Sequence, residues 1–248
     1  MSDRERRLGV IVPFDFALDR EYWQFVPPDV SVHITRGPKF DGPVGIELAR
    51  AVGDPAEAAA GTDTLVAIEP DALVYACTSG SFVNGLAGEA ALRDAMSSAG
   101  GGAPSVTTSG GLLEALLALG VRRVGLGTPY VSELGQLLAD FVEEAGIEPV
   151  SLANLELEGG IADVGSSEVE RLAEAASSPR AEAIFLACTN LATFNVLPAL
   201  ERRFGVPVLS ANQVTMWAAL RAAGAAMPAF DQALYRDVDK GNHVGSQR

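Results

Sequence analysis

Histidine, lysine and cysteine are scarce in these 248 residues. The chain has two histidines (His33 and His243), two lysines (Lys39 and Lys240) and two cysteines (Cys77 and Cys188). A zinc site of the usual Cys/His spacing cannot be assembled from that set. A pyridoxal Schiff base would have one lysine near the start or one in the tail, and a Ser-His-Asp triad would depend on His33 or His243. His33 lies in a strand-like run and reads as structural. Two cysteines make no disulfide framework. No Gly-x-Gly-x-x-Gly follows a strand, and no phosphate loop carries its lysine. No apolar run reaches about 18 residues without a charge or breaker, so neither a signal peptide nor a membrane span is expected, and the chain reads as cytoplasmic. Positive charge is also in deficit: 18 Lys+Arg stand against 32 Asp+Glu, a net charge of −14. That balance argues against nucleic acid or an anionic membrane as partner. It leaves a small anion open, because a local pocket can be positive in a negative protein.

What is present is a globular composition, 48% hydrophobic and 20% charged, long enough for one large domain or two small ones. Short β-branched runs alternate with longer helical patterns, the signature of a parallel sheet covered by helices. Strands are expected at 8–12, 30–34, 72–76, 105–107, 123–127, 148–152, 183–187 and 207–209. Helices are expected at 54–68, 80–98, 112–119, 130–145, 167–177, 193–204 and 214–223. Gly100-Gly101-Gly102 reads as a flexible connector, and the tail from Asp231 as solvated or frayed.

Three segments recur in the same order about half a chain apart. Gly9-Val10-Ile11-Val12-Pro13-Phe14 matches Gly125-Leu126-Gly127-Thr128-Pro129-Tyr130. Ala72-Leu73-Val74-Tyr75-Ala76-Cys77-Thr78 matches Ala183-Ile184-Phe185-Leu186-Ala187-Cys188-Thr189. A weaker pair joins 103–107 to 206–210. The fold expected is therefore α/β, as two pseudo-symmetric Rossmann-like (flavodoxin-like) units with a cleft between them. Residues 1–109 plus 211–248 would form the first domain, and 110–210 the second.

Both cysteines occupy the same place in their unit, after a buried-looking strand and before Thr. Ligands of open α/β sheets gather at the carboxyl ends of strands, where free N–H groups point outward. That setting is expected to favour thiolate. Two such thiols across one cleft can exchange a proton with a carbon held between them, or one can add to an activated double bond while the other protonates it. A lone cysteine at a strand end is usually a small apolar packer; symmetric placement of the only two argues for function. Thr78, Ser79, Thr189 and Asn190 supply neutral donors for a carboxylate, although Thr and Ser are also common helix caps. Phe14, Asp15 and Tyr130 end the first strand of each unit and should border the cleft. Tyr130 can offer its phenol. Asp15 can orient a cysteine, bind an ammonium, act as a base, or simply cap a turn.

With Ala76-Cys77-Thr78 and Ala187-Cys188-Thr189, the chain resembles the aspartate/glutamate racemase superfamily. Gly9-Val10-Ile11-Val12-Pro13, the run Ala118 to Val124 continuing to Thr128-Pro129-Tyr130, and the run Pro198 to Val208 narrow the resemblance. They point to the branch holding maleate cis–trans isomerase and arylmalonate decarboxylase, over residues 8 to about 225. The resemblance implies cofactor-free catalysis beside a carboxylate, with Cys77 as nucleophile or first acid/base and Cys188 as its partner. Thr78, Ser79, Tyr130, Thr189 and Asn190 would hold the carboxylates. Maleate isomerases carry an asparagine where this chain has Phe14-Asp15-Phe16, which suits a substrate with an amino or aromatic group.

Three functions follow as expectations. The first is a cofactor-independent isomerase or racemase of a small carboxylic acid that uses both thiols. The second is a decarboxylase of substituted malonates that uses Cys188 as proton donor. The third is a non-catalytic binder of a small acid. The apolar helix at 112–119 is expected to be exposed and to support a homodimer.

Overall fold

The computed structural model describes residues 4–236. The chain runs through β1 (Arg6–Val12), α1 (Asp19–Gln24), β2 (Val30–Arg36), α2 (Ile46–Val52), α3 (Pro55–Asp63), β3 (Ala72–Tyr75), α4 (Thr78–Phe82), α5 (Gly85–Ala99), β4 (Ser105–Thr107) and α6 (Thr108–Ala118). It continues through β5 (Arg123–Thr128), α7 (Ser132–Glu144), β6 (Glu148–Asn154), α8 (Ser166–Ala176), β7 (Ala183–Leu186), α9 (Leu197–Phe204), β8 (Val208–Ser210), α10 (Ala211–Ala222) and α11 (Ala233–Arg236).

The strands form two four-stranded parallel sheets with the same topology, β2-β1-β3-β4 and β6-β5-β7-β8. The architecture is the expected α/β one, with helices around both sheets. The central strands read as continuous apolar runs because both faces are covered: all four residues of β3 and of β7 are buried. The internal repeat reappears as hydrogen bonding. Ala76 N–H donates to Ile11 O in the first sheet, and Ala187 N–H donates to Gly127 O in the second, both at 2.8 Å. Each cysteine therefore follows the last paired residue of an equivalent strand.

Several helices depart from expectation. The run at 54–68 divides into α3 and a 3-10 turn at Val66–Ile68. The run at 80–98 breaks into α4 and α5 at Gly85, whose φ of +67° few other residues adopt. The helix expected from 193 starts only at Leu197, because a buried carboxylate from α1 binds the backbone ahead of it. Short α1 and α2 carry too few residues to show a helical period, and sequence reading missed both. Gly100-Gly101-Gly102 is a closed turn rather than a loose connector, with Gly102 N–H bonded to Ser97 O at 2.8 Å. The segment from Asp231 to Arg236 is not frayed either: Ala233, Leu234 and Tyr235 of α11 are buried. The rest of the expected tail, including Lys240 and His243, lies outside the described residues.

The helix expected to be exposed at 112–119 is instead largely internal. Leu112, Ala115 and Leu116 of α6 are buried against α10, and Thr215 Oγ1 of α10 donates to Thr108 Oγ1 at 2.8 Å. An internal partner thus covers the face that had suggested a dimer, leaving Leu117 at 80% exposure. His33 sits within β2 with Nε2 at 3.0 Å from Ser31 Oγ. Among the described residues no helix is long and apolar enough to cross a membrane.

Two contacts pin the sheets' loops together above the strand ends. The buried Glu21 carboxylate accepts from Thr193 N–H (3.0 Å), Thr193 Oγ1 (2.8 Å) and Phe194 N–H (3.2 Å). The Asn190 side chain clamps the β1–α1 loop, donating to Asp15 O (3.1 Å) and accepting from Ala17 N–H (2.9 Å). Glu21→Ala would leave these buried donors without an acceptor, so a loss of about 2–4 kcal/mol is expected. Urea denaturation against the milder Glu21→Gln measures it; equal stability of Glu21→Ala and the parent chain would remove this pin from the account.

Candidate active site

Cys77 and Cys188 line one cavity of about 490 Å3 of empty space, part of it continuous with solvent. All nine residues singled out from the sequence border it: Phe14, Asp15, Cys77, Thr78 and Ser79 from the first half of the chain, and Tyr130, Cys188, Thr189 and Asn190 from the second. Segments of low sequence proximity converge here because each ends a strand on the same edge of its sheet.

The two thiols are presented differently despite the repeat. Cys77 is in extended conformation and caps α4, with Gly80 N–H donating to its Sγ at 3.4 Å and Ser79 Oγ at 3.8 Å. Gly80 permits this approach, since a Cβ there would lie 2.5 Å from Tyr75 Oη and 3.2 Å from Cys77 Sγ. Cys188 instead has φ +83°, a left-handed backbone that costs a residue with a side chain roughly 1–2 kcal/mol. No helix follows it for eight residues; a turn closed by Leu191 N–H on Cys188 O does (3.1 Å).

The expectation of low thiol pKa values is overturned. Burial pushes the Cys77 thiol up to about 11, against partial relief from Gly80 N–H and the Ser79 hydroxyl. Burial likewise pushes Cys188 up to about 12, against relief from Asn190 N–H and the Tyr130 hydroxyl. Desolvation wins because α4 is a five-residue helix and Cys188 has none directly behind it, so little helix-end potential offsets the lost water. The negative charge of Asp15 raises both thiols further. Both are therefore neutral in the resting site.

Neutral donors surround them. The Thr78 hydroxyl is buried and has no hydrogen-bond partner. Tyr130 is buried against Phe82, with ring centroids 6.2 Å apart, and its hydroxyl lies beside Cys188 and Thr78. Asn190 lines the cavity, but its side-chain amide is committed to the loop at Asp15 and Ala17. Among the described residues Asp15 is the one charged side chain in the lining, and burial raises its carboxyl above the ordinary range. Apolar walls come from Val44, Leu48, Val52 and Ile161, none of which carried a chemical signal in the sequence. Val44 N–H donates to Glu158 O at 2.9 Å, tying the two roof segments together. Tyr75, missed although it lies two residues from Cys77 on the same strand face, donates to Val52 O at 2.5 Å. Tyr22 was missed as well. It is fully buried, its hydroxyl has no partner, and both thiols act on it. Among the described residues no group of three His, Cys, Asp or Glu converges as a metal site requires.

A family model described as arylmalonate decarboxylase matches residues 51–233. An arylmalonate decarboxylase of Bordetella bronchiseptica is 39% identical over 151 residues, 59% of this chain and 62% of that protein, so the aligned stretch spans under two thirds of that relative. A maleate isomerase of Nocardia farcinica is 26% identical over 235 residues, 87% of this chain and 89% of that protein. In structure, a liganded double mutant of arylmalonate decarboxylase superposes with a TM-score of 0.85 at 31% identity, covering 93% of this chain and 99% of the other. In that mutant a glycine has become cysteine and a cysteine serine.

Two outcomes follow. Because the native thiols keep protons that an unfolded chain releases above its thiol pKa of about 8.5, stability should fall as pH rises from there. The slope is at most about 1.4 kcal/mol per pH unit for each thiol. Urea denaturation between pH 7 and 10 should show it, and a Cys77→Ala/Cys188→Ala chain should lack that share of the slope. Separately, Cys188→Gly should be more stable than Cys188→Ala by about 1 kcal/mol, since glycine accepts the left-handed backbone. Thermal melts of the two variants decide it.

Proposed function

The chain belongs to the arylmalonate decarboxylase family, and from that premise we propose that it is a cofactor-independent isomerase or racemase of a small carboxylic acid, worked by Cys77 and Cys188. The observation that carries this reading is that both thiols line one cavity. A decarboxylation needs one proton donor; a two-thiol cavity suits addition or proton exchange on both sides of a carbon.

In the proposed reaction the substrate carboxylate lies among Thr78, Ser79, Tyr130 and Thr189, whose donors carry no charge. Cys77 first releases its proton to solvent through the open part of the cavity, then as thiolate adds to an activated double bond and forms a C–S bond. The electron pair moves toward the carboxylate, and Cys188 delivers its proton to the neighbouring carbon. Rotation about the resulting single bond and the reverse steps release the isomer. For a racemisation, one sulfur removes the α-proton and the other returns one from the opposite face. Ionising Cys77 at neutral pH from a pKa of about 11 costs roughly 5 kcal/mol. Proximity within the cavity must offset that. Cys188, held neutral, is ready as the acid. Asp15 as sole charge of the lining suits a substrate whose second polar group is an ammonium or is neutral better than one with two carboxylates.

A second reading is favoured by the 39% identity to a decarboxylase together with the protonated Cys188. Here a substituted malonate loses carbon dioxide and the enediolate takes its proton from Cys188 alone. A panel of small carboxylic acids in deuterium oxide separates the two. For the isomerase, label enters without mass loss, and Cys77→Ser and Cys188→Ser each lower kcat by about 100- to 10,000-fold. Carbon dioxide release with Cys77→Ser retaining activity would replace the first reading by the second.

A further inference from the structure

Tyr22 carries a fully buried polar group near the cavity that the proposed reaction does not use. It has no exposed surface, and its hydroxyl makes no hydrogen bond of ordinary length and angle, with the Thr189 side chain as its neighbour. Buried hydroxyls are almost always paired, and an unpaired one destabilises the fold that keeps it. A phenylalanine would fill the same space without that penalty.

The surroundings show what the hydroxyl faces. Tyr22 lies in α1 between two loops from opposite halves of the chain. On one side its ring stacks on Phe16, with centroids 4.8 Å apart and planes at 18°. Phe16 lies between Asp15 and Ala17, the two residues that the Asn190 amide clamps. On the other side, the neighbouring Glu21 binds the backbone and hydroxyl of Thr193. The loop that starts at Thr189 is thus fastened both to the β1–α1 loop and to α1, at residues just ahead of Tyr22. The hydroxyl is set beside the Thr189 side chain, and negative charge on either thiol acts on it. Thr189 in turn lines the cavity.

We propose that Tyr22 is a positioning residue for carboxylate binding: its hydroxyl donates to Thr189 Oγ1 once the Thr189 proton turns to the carboxylate in the cavity. The two hydroxyls then form one chain, each bond polarising the next, and the phenol gains the well-aligned bond it otherwise lacks. The inference rests on the reading of this cavity as a carboxylate site.

Alkylation of the thiols tests it without knowledge of the substrate. Iodoacetate carries a carboxylate and iodoacetamide does not; with either, a thiolate displaces iodide and forms a C–S bond. In the full chain, Tyr22→Phe should slow iodoacetate alkylation about five- to tenfold, the worth of one hydrogen bond, and leave the iodoacetamide rate unchanged. Its melting temperature should equal or exceed that of the parent chain. In a Thr189→Val background, Tyr22→Phe should have no further effect. Unchanged iodoacetate kinetics, an equal loss with both reagents, a lower melting temperature or additive effects would each overturn the role of Tyr22. If the parent chain favours iodoacetate over iodoacetamide no more than free cysteine does, the carboxylate site itself fails, a result distinct from failure of Tyr22 alone.

Discussion

The structure depends on how two parallel sheets end. In each, the residue before cysteine makes the last ladder bond, Ala76 to Ile11 and Ala187 to Gly127. The chain then leaves the sheet, so that each sulfur stands at the carboxyl edge. A one-residue slip would turn every side chain of β3 or β7 to the other face and remove the sulfur from the cavity. The site therefore inherits its geometry from backbone register. The pins at Glu21 and Asn190 then fasten the loops of one sheet to those of the other, so that the two edges close on a single space.

The two sulfurs are buried in a space with little charge, and its chemistry follows from this. Water would stabilise a thiolate; its exclusion keeps both sulfurs protonated, and Asp15 reinforces the effect. A site of this kind holds an anion with hydroxyls and N–H groups rather than with a guanidinium or ammonium. The chain has few lysines, and among the described residues no basic side chain lines the cavity. Unpaired buried hydroxyls at Thr78 and Tyr22 belong to the same economy of neutral donors.

Much of this was readable in the chain. Among the described residues the eight strands lie where short apolar, β-branched runs stand, because burial on both faces makes the central strands continuous apolar stretches bounded by turn residues. The paired Ala-Cys-Thr segments identified both sulfurs, and the turn residues after the first strand of each unit led to Phe14, Asp15 and Tyr130. Less readable were α1 and α2, at six and seven residues too short to show a helical period. The exposure expected of the 112–119 helix failed for another reason: its partner, α10, lies about a hundred residues away, and amphipathicity alone does not say what covers an apolar face. Tyr22 gave no signal at all, since its place near the sulfurs comes from contacts across more than 160 residues.

Composition and repetition by themselves determined the α/β class, the doubled topology, the pair of sulfurs and the shortage of lysine and histidine, because these are local or countable properties. Tertiary structure alone decided that both sulfurs share one cavity, that desolvation outweighs the helix ends and keeps them protonated, and that Cys188 sits on a left-handed backbone while Cys77 caps a helix. Those are sums over neighbours brought from distant parts of the chain, and a thiol's ionisation depends on the water and charge around it rather than on the residues beside it in sequence.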